Sequence, residues 1–267
     1  MRKDGRMKQP LLDIQHVEIG YQAKTVVHDI TLQVSPGEIL GIVGESGSGK
    51  STLIKSITGL LGRDGMITNG SISYKGMELV HQRKKQLRKL RGAEIGMIFQ
   101  NTAASLCPVR SIEKQLYEMV FAHESISRAE IKKRALDLFD KMNLKDGERI
   151  LKSYPFELSG GMNQRIGIMM AMILKPNLLL ADEPTSSLDV TIQAQVVREM
   201  MKMRDLFGTA IIIVTHNIGL VKFMADRIAV MYQGRLVEYG TKEEIFSNPQ
   251  DPYTKKLIHS VLCINRG

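Results

Sequence analysis

Gly44-Glu45-Ser46-Gly47-Ser48-Gly49-Lys50-Ser51-Thr52 is the stretch from which the fold follows. It has the form G-x-x-x-x-G-K-[ST], the phosphate-binding loop pattern. Glu38 to Val43 before it reads as a buried strand. Ser51 to Leu61 after it reads as a helix with apolar Leu53, Ile54, Ile57, Leu60 and Leu61. Strand, glycine loop and helix are the setting this pattern requires. Gly44, Gly47 and Gly49 carry no side chain and accept positive φ, so backbone N–H groups can close around phosphate oxygens. The helix N-terminus adds its dipole. Lys50 is spaced to reach the terminal phosphates, and the Ser51 hydroxyl is spaced to ligate Mg²⁺. An ordinary glycine-rich turn would account for the glycines. It would not account for Lys-Ser at this offset, which has no packing role.

The bulk numbers are compatible with such a protein and exclude some others. A chain of 267 residues, 43% of them hydrophobic, can bury a sizeable core in one large domain or two small lobes. No apolar run nears the roughly 18–20 residues of a membrane span. Residues 1–6 are basic, but no apolar region follows them, so no secretory leader is expected. Cys107 and Cys263 are the only cysteines, which suits a reducing compartment and no disulfide framework. A formal net charge of +9 favours polyanions, whether nucleotides, nucleic acid or anionic head groups. The loop pattern occurs once, so one nucleotide module is expected.

Ahead of the loop, Leu11 to Ile19 alternates apolar and polar and reads as a strand, and Ile30 to Val34 reads as a second, ending in the turn Ser35-Pro36-Gly37. Two early antiparallel strands suggest a β lobe beside the nucleotide. Tyr21 is placed to stack on an adenine face, although a solvent-edge strand tyrosine would look the same. Ser71 to Tyr74 is a further short strand. The run from His81 to Arg91 is densely basic. It reads as a solvated helix face with Leu87 and Leu90 inward rather than a nucleic-acid or lipid patch, because no aromatic residues interleave for base stacking.

Glu94 to Phe99 reads as a buried strand ending at Gln100, where polar residues meet ligands in α/β sheets. Asn101 to Pro108 reads as a loop, and its Cys107 as unreactive, with no adjacent cation to lower its pKa. Ser111 to Met142 is mostly helical with a break at Ser125 to Ser127, and Ile131, Ala135, Leu138 and Phe139 form one stripe. A second glycine cluster, Leu158-Ser159-Gly160-Gly161-Met162-Asn163-Gln164-Arg165, opens another helix with Ser159 as N-cap, continuing from Arg165 to Leu174. Small residues at that N-terminus admit a phosphate or simply cap the helix; residue types alone leave both open.

Asn177 to Asp182 is an apolar strand ending in the adjacent carboxylates Asp182 and Glu183. Asp182 suits a Mg²⁺ ligand. Strand alternation sends Glu183 the other way, toward an attacking water. Ser186 to Asp189 forms a turn into the helix Thr191 to Phe207. His216 stands at the end of the strand Ala210 to Thr215, the position that Gln100 and Asp182 hold on theirs. Ile228 to Tyr232 and Arg235 to Glu238 form a hairpin about Gln233-Gly234. Thr241 to Phe246 is a helix with a Thr241/Glu244 capping box, and Asp251 to Leu262 is a last amphipathic helix. The methionines on the helices near Ser159 and beyond Asp189 read as flexible core filling.

Together these motifs resemble the ATP-binding subunit of an ABC transporter over essentially the whole chain. The resemblance implies an α/β fold: a P-loop NTPase core with a mostly parallel sheet, an antiparallel β lobe and an inserted helical subdomain. It implies one ATPase domain over 1–267, with core and β lobe at 1–100 and 176–247, helical subdomain at about 101–175 and a helical tail at 248–267. It makes Gly44 to Thr52 the Walker A loop and Leu178 to Asp182 Walker B. Glu183 becomes the catalytic base, Gln100 the Q-loop residue that touches Mg²⁺, and Tyr21 the adenine-stacking aromatic. Ser186 to Asp189 becomes the D-loop, His216 the switch histidine near the γ-phosphate, and Leu158 to Met162 the signature. In the family, the signature of one subunit covers ATP held by the Walker A loop of another.

Met162, where the broad family has Gln, is similar to the peptide and nickel importer branch. So are Gly44 to Lys50, Ser105 to Arg110 and the tail Asp251 to Leu257. Within that branch Cys107 stands for the usual Asn and Asn217 for the usual Asp. A chain stopping at Gly267 leans toward the short nickel-type subunits. The resemblance implies ATP and Mg²⁺, a second ATPase subunit with a heterodimer favoured, and two membrane permease subunits. It also implies, indirectly, an extracellular substrate-binding protein. It places the chain peripherally at the cytoplasmic face of the membrane, with no nucleic-acid partner. A soluble ABC-type ATPase acting on nucleic acid or ribosomes, which the run 83–91 would suit, and an exporter subunit are the rivals.

Overall fold

The computed structural model describes residues 9–22, 24–186 and 188–264. The basic residues 1–6, Ser187 of the expected turn, the side chain of Cys263 and Gly267 lie outside the description. The elements in chain order are β1 (Leu12–Tyr21), β2 (Lys24–Val34), β3 (Ile39–Val43), α1 (Lys50–Ile57), β4 (Gly65–Tyr74), β5 (Met77–Glu78), α2 (Lys84–Leu90), β6 (Ile95–Ile98), α3 (Thr102–Ser105), α4 (Ile112–Phe121), α5 (Arg128–Lys141), α6 (Gly147–Lys152), α7 (Gly160–Met172), β7 (Leu178–Asp182), α8 (Val190–Phe207), β8 (Ala210–Thr215), α9 (Ile218–Met224), β9 (Arg227–Tyr232), β10 (Arg235–Thr241), α10 (Lys242–Ser247) and α11 (Pro252–Ile264). They divide into two compact units, residues 1–87 with 214–267, and residues 88–213.

In the first unit β2, β1, β4 and β5 form an antiparallel sheet in that order. The buried side chains of β1 are Leu12, Ile14, Val17 and Ile19. The step of three from Ile14 to Val17 marks a register irregularity, with His16 at φ 52°. An extra residue there restores the apolar face that strict alternation would lose. β3 pairs parallel with β9, and β9 pairs antiparallel with β10. The β9–β10 hairpin turns through Gln233 (φ 47°) and Gly234 (φ 79°), the two positive φ values a tight two-residue loop needs. It is tied to β2 by the His28 N–H donating to Gly234 O (2.8 Å) and by the Tyr239 hydroxyl donating to Gln33 O (2.7 Å).

Helix α1 buries Leu53, Ile54 and Ile57 as expected, but it stops at Ile57 rather than Leu61. Gly59 takes a left-handed φ of 65°, with Gly59 N–H donating to Ser56 O (3.0 Å) and Leu60 N–H to Lys55 O (2.9 Å). That paired closure ends a helix even where apolar residues continue its period, and it leaves Leu60 exposed.

In the second unit β6 and β7 run parallel, Ile95 opposite Leu178 and Ile98 opposite Ala181, with β8 beside β7. Every residue of β7 is buried, as in strands covered on both faces. α5 is capped by Ser127, whose hydroxyl accepts from Glu130 N–H (3.2 Å), and buries the stripe Ile131, Ala135, Leu138 and Phe139. The expected loop at 101–108 contains one helical turn, α3, because Asn101 Oδ1 accepts from Ala104 N–H (3.0 Å) and starts it. In the basic run Leu87 and Leu90 are half-buried while Arg83, Lys84, Lys85, Arg88 and Lys89 are exposed, the pattern of a solvated helix face. Met169, Met172, Met200 and Met203 are fully buried packing residues.

Candidate nucleotide-binding site

The glycine loop lies between β3 and α1, as its sequence requires. Gly44 is closely confined: a Cβ there would lie 2.0 Å from the carbonyl oxygen of Met231 in β9. Gly47 has open space around it but a φ of 81°, a conformation side chains resist. Glu45, Ser46 and Gly47 face solvent, and Ser51 and Thr52 are half-buried. Lys50 is 4% exposed, and its ammonium donates to Gly44 O (2.8 Å), Glu45 O (2.6 Å) and Ser48 Oγ (3.3 Å). A phosphate oxygen is a stronger, charged acceptor for the same ammonium. The Glu45 N–H donates to the Tyr253 hydroxyl of α11 (2.9 Å), a contact 208 residues distant that no local pattern announces.

Tyr21, half-buried at the end of β1, sits opposite Lys24 on one side and Gly65 on the other. A Cβ on Gly65 would lie 2.8 Å from the Tyr21 ring, so glycine admits the ring there. His216 follows the last residue of β8 and is exposed. Asn217 next to it caps α9 by accepting from Leu220 N–H (3.2 Å), a helix the sequence reading missed.

In the second unit Asp182 ends β7 and is 2% exposed. Glu183 does not follow strand alternation: its φ is +46°, so the chain has left the strand and a left-handed residue sets its direction. The direction of Glu183 is therefore set by this backbone turn and not by strand alternation. Gln100, exposed beyond the end of β6, donates its amide to Glu183 Oε2 (3.0 Å). The two residues, 83 positions apart, are brought together.

Ser159 caps α7 by accepting from Met162 N–H (3.3 Å). No described residue lies within 4 Å of where a Cβ on Gly160 would stand, whereas one on Gly161 would meet Ile192 of α8 at 3.1 Å. Asn163 fixes the approach to this helix by donating to Pro155 O (2.9 Å) and Leu158 O (3.3 Å). Arg165 pairs with Glu199 of α8 (2.5 Å) and donates to Met142 O (2.5 Å). Burial raises the Glu199 carboxyl above its ordinary range, and Arg165 opposes that shift. Asn163 and Arg165 stand in the quoted glycine cluster, but sequence assigned neither a partner; their partners are set by packing of α7.

The ABC transporter family pattern matches residues 27–186, more than half of the chain, and the chain belongs to that family. It is the ATP-binding, ATP-hydrolysing cassette of an ABC transporter. A further match, to the C-terminal region of oligopeptide/dipeptide transporters, covers residues 237–267. Among curated relatives, the oligopeptide transport ATP-binding protein AmiE of Streptococcus pneumoniae is 42% identical over 89% of this chain and 67% of its own length. The dipeptide transport ATP-binding protein DppD of Lactococcus lactis is 39% identical over 97% of this chain and 75% of its own. Among solved structures, the ATP-binding cassette MJ0796, a post-hydrolysis dimer bound to ADP and phosphate, superposes with a TM-score of 0.76 at 26% identity, covering 86% of this chain and 98% of that one. cbiO1 of Clostridium perfringens, part of an ABC transporter complex, gives 0.78 at 25% identity over 96% of each. No helix among the described residues is long and apolar enough to cross a membrane.

Proposed function

We propose that the chain energises uptake of peptides through separate membrane subunits, as a peripheral subunit on the cytoplasmic face. The match of residues 237–267 to the oligopeptide/dipeptide transporter C-terminal region carries the cargo assignment, and it favours peptides over nickel. The names of the relatives support it. The partners of this reading are a second ATPase subunit, forming a heterodimer, two permease subunits and, indirectly, an extracellular binding protein. The whole chain acts as one ATPase domain whose helical subdomain spans about 101–175.

In this reading ATP lies along the Gly44 to Thr52 loop, with Tyr21 against the adenine. Lys50 leaves its loop carbonyls for the terminal phosphates. Ser51, Gln100 and Asp182 supply a hydroxyl, an amide oxygen and a carboxylate, a set of hard oxygen donors that fits Mg²⁺. The ion, when bound, neutralises charge developing on the phosphates. Glu183 is the base that orients the attacking water and takes its proton, and the Gln100 amide holds it in place. His216 stabilises the γ-phosphate. Ser159, Gly160 and Gly161 present the N-terminus of α7 to ATP held by the neighbouring subunit, which the open space at Gly160 supports. The chemistry is mostly positioning and charge stabilisation of in-line attack. The test is ATP-dependent accumulation of labelled peptide in vesicles bearing the assembled transporter. Accumulation that Glu183→Gln abolishes is expected. ATP-driven nickel uptake without peptide uptake would overturn the cargo, and salt-sensitive nucleic-acid binding by the purified chain would favour the soluble ATPase.

A further inference from the structure

Asp251-Pro252-Tyr253-Thr254 opens α11, and the start of that helix is fixed from several directions. Asp251 Oδ1 accepts from the N–H groups of Tyr253 (2.8 Å) and Thr254 (3.3 Å). The Glu238 carboxylate on β10 accepts from Gln250 N–H (2.8 Å) and Asp251 N–H (3.1 Å). The Tyr253 ring stacks on Tyr232, the last residue of β9, with centroids 4.3 Å apart and planes at 28°. Tyr232 follows Met231, whose carbonyl oxygen is the group that Gly44 approaches so closely. The Tyr253 hydroxyl is thereby delivered to the glycine loop, where it accepts from Glu45 N–H at 2.9 Å. Burial raises this hydroxyl above its ordinary pKa, so it stays neutral at physiological pH.

The peptide unit that Tyr253 grips is the one joining Gly44 to Glu45. Its N–H meets Tyr253, and its carbonyl, Gly44 O, meets the Lys50 ammonium at 2.8 Å. One plane at the entrance of the loop is therefore held at both ends. When Lys50 turns to a phosphate, the carbonyl side loses that hold and the tyrosine side keeps its own.

We infer that Tyr253 is a positioning residue for the phosphate-binding loop, through which the C-terminal helix holds the loop in its nucleotide-ready form. It touches no reacting atom. It acts on the fraction of loop that is competent to bind, and apparent affinity scales with that fraction. The inference rests on the reading that this loop takes ATP.

Tyr253→Phe in the full chain removes the acceptor and keeps the ring on Tyr232. Hydrogen exchange at the Glu45 amide without nucleotide, and the equilibrium Kd for ATP with Mg²⁺, are the two readouts. Both are expected to move about 2- to 10-fold, exchange faster and binding weaker, the span of one net neutral hydrogen bond. Thr254→Val is the control: its side chain is fully buried in the same helix, and its hydroxyl has no hydrogen-bond partner among the described residues. It is expected to leave both readouts unchanged. Wild-type exchange and Kd in Tyr253→Phe would overturn the inference. So would equal losses in Tyr253→Phe and Thr254→Val, which mark a merely structural role. A wild-type chain that binds no ATP would defeat the functional reading instead, and exchange at Glu45 would still decide for or against the tyrosine contact.

Discussion

Gly44→Ala puts the closest approach in the nucleotide loop to a quantitative test. The added Cβ would lie 2.0 Å from Met231 O. Against an ordinary C···O separation of about 3.3 Å, the overlap exceeds about 1 Å. The oxygen is backbone in β9, paired to β3 at Val43 opposite Val230, so no side-chain rotation relieves it. Overpacking of this kind costs about 1–3 kcal/mol, to which the nearly glycine-only φ of 153° adds about 1–3 kcal/mol. The expected fall in Tm is roughly 5–15 °C for a chain of this size. Gly47→Ala is the internal standard, with φ 81° and nothing within 4 Å of the added atom. It incurs the dihedral cost alone, about 1–2 kcal/mol, and melts a few degrees below wild type. Thermal unfolding without nucleotide reads both. Saturating ATP at about 100 times Kd should stabilise wild type by about 2.7 kcal/mol and Gly44→Ala by far less. If Gly44→Ala melts with Gly47→Ala or above it, the close-approach account is wrong.

Two other variants probe the second unit. Glu183→Gln is expected to bind ATP with near wild-type affinity while turnover in the assembled transporter drops by about 10²–10⁴-fold, the span assigned to a lost general base; normal turnover would remove Glu183 from that role. Arg165→Met strands the Glu199 carboxylate, whose side chain is 7% exposed, and is expected to destabilise by about 3–5 kcal/mol in denaturant unfolding. Replacing Glu199 with Leu in the same chain should restore most of that stability, and a double variant as unstable as the single would show that the pair is not the cause.

The elements that local chemistry fixes were legible in the sequence. The glycine loop with its flanking strand and helix, the α5 stripe from Ile131 to Phe139, the Ser159 cap and the Thr241/Glu244 capping box each depend on residues a few positions apart. The box is present in both directions, Glu244 N–H to Thr241 Oγ1 (3.3 Å) and Thr241 N–H to Glu244 Oε2 (2.8 Å). What escaped depends on single backbone states or on distant partners. Leu60 and Leu61 prolong the helical period of α1, and only the left-handed Gly59 reveals its end. Glu183 reads as the next strand residue until its φ is known. α3 is a single turn, too short to show a period, and the Asn101 cap was the one cue to it. Arg165 with Glu199, Gln100 with Glu183, and Tyr253 with Glu45 lie 34, 83 and 208 residues apart, and no spacing in the sequence predicts such meetings. For the candidate site, residue types and order carried the chemistry, while the restraints that orient Glu45 and Glu183 had to come from the fold.

In the function proposed above, this chain holds half of a nucleotide clamp and a neighbour completes it. Gly160→Leu is the decisive variant, because an added Cβ there meets no described residue within 4 Å. The measurement is ATP turnover by this variant and by wild type in the assembled transporter, with Tm and ATP affinity of each isolated chain alongside. A shared site gives an unchanged or slightly higher Tm, unchanged affinity in the isolated chain, and turnover lost in the assembly. Wild-type turnover by an assembly built with Gly160→Leu would contradict it.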